Sequence, residues 1–264
     1  MAAAVSRRRF FGAGRAVAVI GLYEAATAAT AGTEPQSWWP RQDPALVQEA
    51  VGAAHGNFDR LKTLVGRQPA LANAAVDWGF GDWEDALGGA SHMGRRDIAQ
   101  FLLAHGARPS IFSAAMLGQL DAVKAMVAAQ PGLQRTRGPH GIPLLAHARA
   151  GGAEAAGVVS YLEALGDAGT GTAGVALDPA VRDSVVGRYR FGTGAADYFD
   201  VDVQNGRLGL ARPGTPRRLL TPTGVLTFFP AGVPSVRIAF GESSGRIAQL
   251  TVADPDIYIT AVRD

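Results

Sequence analysis

The sequence predicts an α + β multidomain chain: an α-solenoid of about four helix pairs, followed by a small antiparallel β barrel or sandwich. Three observations carry this expectation. A glycine–aspartate–apolar pattern recurs along residues 44–166. A run of small residues interrupts the chain at 167–176, and beyond Leu177 apolar residues alternate with period two.

The repeat aligns in three copies. Gly56-Asn57-Phe58-Asp59 precedes Leu61, Leu64 and Val65; Gly94-Arg95-Arg96-Asp97 precedes Ala99, Leu102 and Leu103; Gly118-Gln119-Leu120-Asp121 precedes Val123, Met126 and Val127. In each, the apolar residues fall two, five and six places after the aspartate, on one face of a helix. The glycine ends one turn and the aspartate is placed to cap the next helix. A worn fourth copy keeps Val158, Tyr161 and Leu162 but has Ala156 where the aspartate would be. Gln68-Pro69-Ala70-Leu71 and Gln130-Pro131-Gly132-Leu133 are matching stops, since proline cannot continue a helix. The expected pairs are 45–54 with 58–67, 85–92 with 96–105, 111–117 with 120–129, and 143–150 with 154–165.

These copies resemble the ankyrin repeat. Leu102-Leu103-Ala104-His105-Gly106-Ala107-Arg108-Pro109 is close to that family's helix-end pattern, with Arg108 where aspartate is usual. Asp85-Ala86-Leu87-Gly88 and Ile142-Pro143-Leu144-Leu145 stand where the family has Thr-Pro-Leu-His, without its threonine or histidine. The resemblance implies a solenoid whose stability rests on packing between repeats, and a surface of helix faces and finger loops that binds other proteins. A generic bundle of helical hairpins is the alternative.

Beyond the linker, Asn205-Gly206 between two alternating runs is a hairpin signal. Short strands are expected in 177–264, at 187–191, 198–203, 208–210, 218–221, 225–229, 236–240, 247–252 and 258–262, a meander curled into a barrel or sandwich. Gly187-Arg188-Tyr189, the Gly206 hairpin, a Leu-rich strand, Phe228, Phe240 and Gly245 are together similar to small β domains appended to some β-lactamase-like serine hydrolases. That similarity implies an accessory role rather than catalysis.

Ser6-Arg7-Arg8-Arg9-Phe10-Phe11 resembles the twin-arginine export signal. A weakly apolar stretch at 10–22 follows, then Ala26-Thr27-Ala28 and Ala29-Thr30-Ala31 as small-residue cleavage sites. The stretch is too short and polar for a stable membrane span. The resemblance implies a periplasmic or secreted bacterial protein, with 1–31 as signal, Arg7, Arg8 and Phe10 as its motif, and 32–43 as linker. A basic tail is the alternative. Loss of that segment removes four arginines and one acid, turning the net charge from +2 to −1, so nothing favours a nucleic-acid partner. The chain has no cysteine, which excludes disulfides and thiolate metal sites.

Two literal chemical motifs fall in unsuitable settings. Gly169-Thr170-Gly171-Thr172-Ala173-Gly174 matches a dinucleotide fingerprint but follows a helix and precedes a β domain. Gly241-Glu242-Ser243-Ser244-Gly245 matches a nucleophile elbow but lies between two strands, and no histidine follows His147. Asp200 and Asp202 share one strand face, more simply a solvated face than a ligand site. The histidines, His55, His92, His105, His140 and His147, form no tight metal-ligand spacing and recur near expected helix ends, where local hydrogen bonding is the simpler role. No catalytic residue, metal or cofactor is expected.

The best binding candidate is the finger segment Asp77-Trp78-Gly79-Phe80-Gly81-Asp82-Trp83-Glu84, aromatic and acidic between glycines. A basic segment with Arg135, Arg137 and His140 occupies the next corresponding loop. Trp78, Phe80, Asp82, Trp83, Arg135, Arg137 and His140 are therefore the expected contacts for a protein or peptide partner. The leading expectation is an exported, non-enzymatic interaction or scaffolding protein. The alternative is a small-ligand binder or enzyme with its site in the β domain or the interdomain cleft. A buried, convergent cluster of Asp, Glu or His would favour that alternative.

Overall fold

A computed structural model of the chain describes residues 40–170 and 174–264. The twin-arginine motif and cleavage sites lie outside the described residues, as does the middle of the 167–176 linker.

Eight helices pair in order: α1 (Pro44–Ala54) with α2 (Phe58–Arg67), α3 (Ala86–His92) with α4 (Arg96–Ala104), α5 (Ile111–Met116) with α6 (Leu120–Ala129), and α7 (Leu144–Ala150) with α8 (Ala156–Leu165). The first helices of successive pairs also pack on one another, α1 on α3, α3 on α5 and α5 on α7. Their interiors form two apolar clusters, one around Leu61, Leu87, Ile98 and Leu102, the other around Val123, Leu144, Val158 and Leu162. Small residues on the first helices, such as Ala50, Ala54, Ala90 and Ala115, are fully buried and let the pairs approach closely.

The local signals act as chemistry dictates, with one shift of role. The repeat aspartates Asp59, Asp97 and Asp121 sit inside the first turn, where a carboxylate meets the positive end of the helix. They are not the caps: Asn57 caps α2, while Arg95 and Gln119 occupy the cap positions of α4 and α6 without side-chain bonds. Gly118 has φ +75°, and a Cβ there would lie 2.2 Å from the Glu154 carbonyl oxygen. Only glycine meets both demands.

Between the first two pairs runs a short hairpin, β1 (Ala75–Asp77) and β2 (Trp83–Asp85), in the register Ala75↔Asp85, Val76↔Glu84 and Asp77↔Trp83. Its tip is folded by Asp77 Oδ1, which accepts from the Gly79 and Gly81 backbone N–H groups at 2.8 and 3.1 Å.

A short helix, α9 (Pro179–Ser184), precedes the second part and falls inside the segment expected to be purely β. Asp178 caps it by accepting from Ala180 N at 2.7 Å. Then eight strands form a closed antiparallel barrel: β3 (Gly187–Arg190), β4 (Tyr198–Gln204), β5 (Arg207–Ala211), β6 (Arg218–Pro222), β7 (Thr227–Pro230), β8 (Arg237–Ser243), β9 (Arg246–Asp254) and β10 (Ile257–Arg263). Each strand pairs with the next, and β10 closes on β3 through Val262↔Arg190 and Arg263↔Tyr189. Asn205-Gly206 makes the β4–β5 turn with both φ angles positive, at 51° and 73°. The Gly-x-Ser-x-Gly motif is the β8–β9 hairpin, with Ser244 and Gly245 at its tip. Tyr189, Phe228, Ile238 and Leu250 fill the interior. Asp200 and Asp202 bond to Arg188 and Arg217 rather than to each other's site.

Stack and barrel belong to one compact unit. Arg218 at the head of β6 reaches the finger hairpin, and the Gly138–Ile142 turn lies against Gly232 of the β7–β8 connection. Among the described residues no helix is long and apolar enough to cross a membrane.

Candidate metal centre

Four side chains from four separated segments meet where the helix stack faces the barrel. His55 follows the C-terminus of α1, His92 ends α3, His140 lies in the turn before α7, and Glu84 sits in β2. Each offers one ligand atom, and these four atoms lie within 4.8 Å of one another. His92 Nε2 is 3.2 Å from His55 Nε2 and 2.8 Å from Glu84 Oε1. Glu84 Oε2 is 3.4 Å from both His55 Nε2 and His140 Nε2. A tetrahedral ion with Zn–N and Zn–O bonds of about 2.0–2.1 Å needs its ligand atoms roughly 3.3 Å apart. The closest pairs in the cluster, at 2.8–3.4 Å, are near that size, and the whole set lies within 4.8 Å.

Helix geometry and glycine place these groups. The first helices of neighbouring pairs pack side by side, so histidines at the C-terminal ends of α1 and α3, His55 at the cap and His92 in the last turn, become neighbours in space. Two glycines in α3 supply the room. A Cβ on Gly89 would lie 3.0 Å from the His55 ring, and one on Gly88 would lie 3.1 Å from Pro139. The hairpin register turns Glu84 inward, leaving the residue 1% exposed.

The outer nitrogens fix the tautomers. His55 Nδ1 lies 2.9 Å from the Val51 carbonyl oxygen, which can only accept, so Nδ1 carries the hydrogen. His140 Nδ1 donates to Asp82 Oδ2 at 2.8 Å. In the neutral rings both Nε2 lone pairs therefore face Glu84 and His92. An imidazole held at one nitrogen by a carboxylate or carbonyl, with its free lone pair aimed into a cluster, is arranged as a metal ligand. Trp78 Nε1 donates to Glu84 Oε2 at 2.6 Å and orients the carboxylate. Asp82 is held in turn by His140 N at 2.8 Å and by Arg218 Nη2 at 2.5 Å.

The charges are strongly coupled. Burial raises the Glu84 carboxyl, but the three imidazoles overcome it and hold it far below the ordinary range. Burial likewise raises Asp82, and the His140 and Arg218 contacts bring it below its usual value. Burial lowers the His140 imidazole, yet Asp82 and Glu84 carry it up to about 9. His55 is raised, first by its bond to Glu84. A fourth histidine, His147, packs against Phe112 and His92 with ring centroids 4.7 and 6.2 Å away. It is fully buried, neither ring nitrogen has a hydrogen-bond partner, and burial pushes it down to about 4.

A cleft of about 430 Å³ bordered by Gly52, His55, Trp78, His140, Arg217 and Arg218 reaches the cluster. A four-coordinate ion would be saturated by these four groups, so a small molecule reaching it through the cleft would enter as a fifth ligand. Three imidazoles and a carboxylate, without thiolate, suit a divalent ion of the zinc, iron or manganese kind.

The seven expected contact residues divide. Trp78, Asp82 and His140 join the cluster or orient it, whereas the sequence reading gave them to a partner surface. Phe80 packs on the barrel core. Trp83 stays on the surface at 65% exposed. Arg137 donates to the Gly141 and Thr170 carbonyls, and Arg135 lies 3.7 Å from Asp167, so both stitch the chain to itself. The expectation that the histidines serve only local hydrogen bonds holds for His105, which bonds Phe101 O at 2.8 Å. His55 also keeps a local bond, to Val51 O, but His55, His92 and His140 in addition meet Glu84 or Asp82, because packing of one helix pair on the next brings distant residues together where sequence spacing shows nothing. Glu84, His92, His55, His147 and Arg218 are the site residues that spacing did not single out. The recurrence of histidine at helix ends was the available signal.

No protein-family model matches this sequence, and no curated protein matches it significantly.

Proposed function

We propose that this protein is a metal-binding protein whose centre, formed by His55, His92, His140 and Glu84, acts on or holds a small ligand in the cleft between helix stack and barrel. The observation that carries the reading is the inward aim of the His55 and His140 Nε2 atoms, each ring fixed from behind through Nδ1, onto a buried carboxylate. Four titratable groups from separate segments gathered within 4.8 Å, with the carboxylate of Glu84 buried among three partly buried imidazoles, are more than packing alone calls for. In this reading Trp78, Asp82 and Arg218 hold the protein ligands in place, and an ion bound by them would supply Lewis-acid polarisation to the oxygen of a ligand entering from the cleft.

The test is metal stoichiometry. Full-length protein equilibrated with Zn(II) or Co(II) and desalted is expected to retain one ion per chain by mass spectrometry. Co(II) is expected to give visible absorption of a low-coordinate N/O site. His92→Ala and Glu84→Gln should lose the ion while keeping the far-ultraviolet spectrum. Failure of the native protein to retain any ion would sink the proposal.

The order of helix pairs supports an ankyrin-type stack, and the N-terminal motif supports twin-arginine export, a route that carries folded proteins and so allows an ion to be loaded first. A role in protein interaction rests on Trp83, which projects from the finger hairpin. Trp83→Ala with crosslinking in the native compartment tests it; unchanged partner recovery would count against it.

A further inference from the structure

The barrel has a second cavity, and none of the four metal-centre side chains lines it. At the mouth nearest the finger hairpin is a pocket of about 220 Å³, walled by Phe80, Phe199, Leu210, Val252, Ile257 and Ile259. Elsewhere the barrel interior is filled by its own side chains. Here the apolar residues of β4, β5, β9 and β10 are met by two aromatic residues of the finger hairpin, Phe80 and Trp78. Ile257, half of it exposed, has no covering partner.

The polar groups of this pocket are unequal in sign. Arg212 and Arg218 line it against one acid, Asp254. Arg212 lies 3.9 Å from Asp197 and over the Phe191 ring, 5.2 Å from its centroid, so its charge is loosely neutralised. Arg218 is tied to Asp82 through Nη2, but its Nε has no acceptor. A pocket with an apolar floor and the Arg212 guanidinium at its rim is complementary to a molecule with an alkyl or aryl body and an anionic end.

We infer that the barrel mouth beneath Phe80 binds a small apolar carboxylate, with its chain against Leu210, Val252 and Ile259 and its carboxylate toward Arg212. Phe80 occupies the place that a longer chain would take. Its backbone is left-handed, at φ 61° between Gly79 at 109° and Gly81 at 79°, a conformation that a phenylalanine does not choose unaided. The hairpin tip is thus shaped to bring one ring to the mouth. This site goes beyond the metal reading: it requires no ion, although Trp78 and Arg218 wall both cavities.

Isothermal titration of full-length protein with sodium octanoate tests the inference. Saturable binding of one octanoate per chain is expected, weakened at least tenfold by Arg212→Gln and by Thr215→Trp, which places an indole in the mouth from an exposed loop. Both variants change surface positions, so the fold is retained and checked by circular dichroism. His92→Ala is expected to bind octanoate as the native protein does. No saturable binding, or octan-1-ol binding as tightly as octanoate, overturns the proposal. Loss of octanoate binding in a folded His92→Ala variant also overturns it, by moving the ligand to the metal cluster. Absence of metal uptake with octanoate binding intact would defeat the metal reading alone.

Discussion

Asp82 in the finger hairpin and Arg218 at the head of the barrel form a buried ion pair at 2.5 Å, 136 residues apart in sequence. The pair ties barrel to stack, and because Asp82 also holds His140, it ties both to the candidate metal centre.

Removal of one partner leaves the other charge buried. Arg218→Ala is expected to destabilise the protein by about 3–5 kcal/mol, the usual cost of stranding a buried charge. Urea denaturation measures this directly. The same variant should also weaken metal retention, since Asp82 would be free to leave the His140 ring.

Trp78→Phe keeps an aromatic side chain, smaller than the indole, and deletes its N–H. The bond lost is the 2.6 Å contact to Glu84. Partners behind a ligand are worth about 10–100-fold in metal affinity. A loss of that size is expected in competition with a chromogenic chelator, with the thermal midpoint of the metal-free protein little changed.

Gly89→Ala probes the room left for His55. The new methyl would stand 3.0 Å from the imidazole, so the ring must swing away from His92 or the helices must part. Alanine is the better helix former by roughly 1 kcal/mol, so the fold should survive. Weakened metal retention in a protein of undiminished stability is the expected result, and unchanged retention would show that the ring has slack.

Alkaline titration should single out Tyr189. Burial, partly offset by the Arg263 charge, pushes its phenol up to about 12, and its hydroxyl donates to Val185 O at 2.7 Å. A phenol raised in the folded state favours folding below its unfolded value near 10, and that contribution fades as pH rises toward 12. Absorbance at 295 nm should show one of the five tyrosines ionising last or only with unfolding. Tyr189→Phe should flatten the fall of stability over the same interval.

Much of the fold is legible in the sequence because its signals are local. The apolar spacing after Asp59, Asp97 and Asp121 marks helix faces, and Asn205-Gly206 marks a turn wherever it stands between alternating runs. Helix α9 was hidden because six residues are too few to display a period. The metal cluster was hidden for a different reason. His55 and His92 are 37 residues apart, and Asp82 and His140 are 58 apart, so only the packing of one repeat on the next makes them neighbours. The finger hairpin shows the same limit. Its aromatic and acidic composition is visible, but the register that sends Trp78 and Glu84 inward and Trp83 outward belongs to the pairing of β1 with β2.

The order in which the barrel strands pair has a consequence for biogenesis. The barrel closes only when β10 meets β3, so the first strand made waits for the last. The helix stack, rich in near-neighbour contacts, can form while the chain is still being synthesised, as N-terminal units generally do. Arg218 can reach its place only afterwards. Ribosome-bound chains lacking β10 should therefore carry an assembled stack with Asp82 unclasped, and the barrel would supply the final fastening to a centre whose ligands were all translated before it.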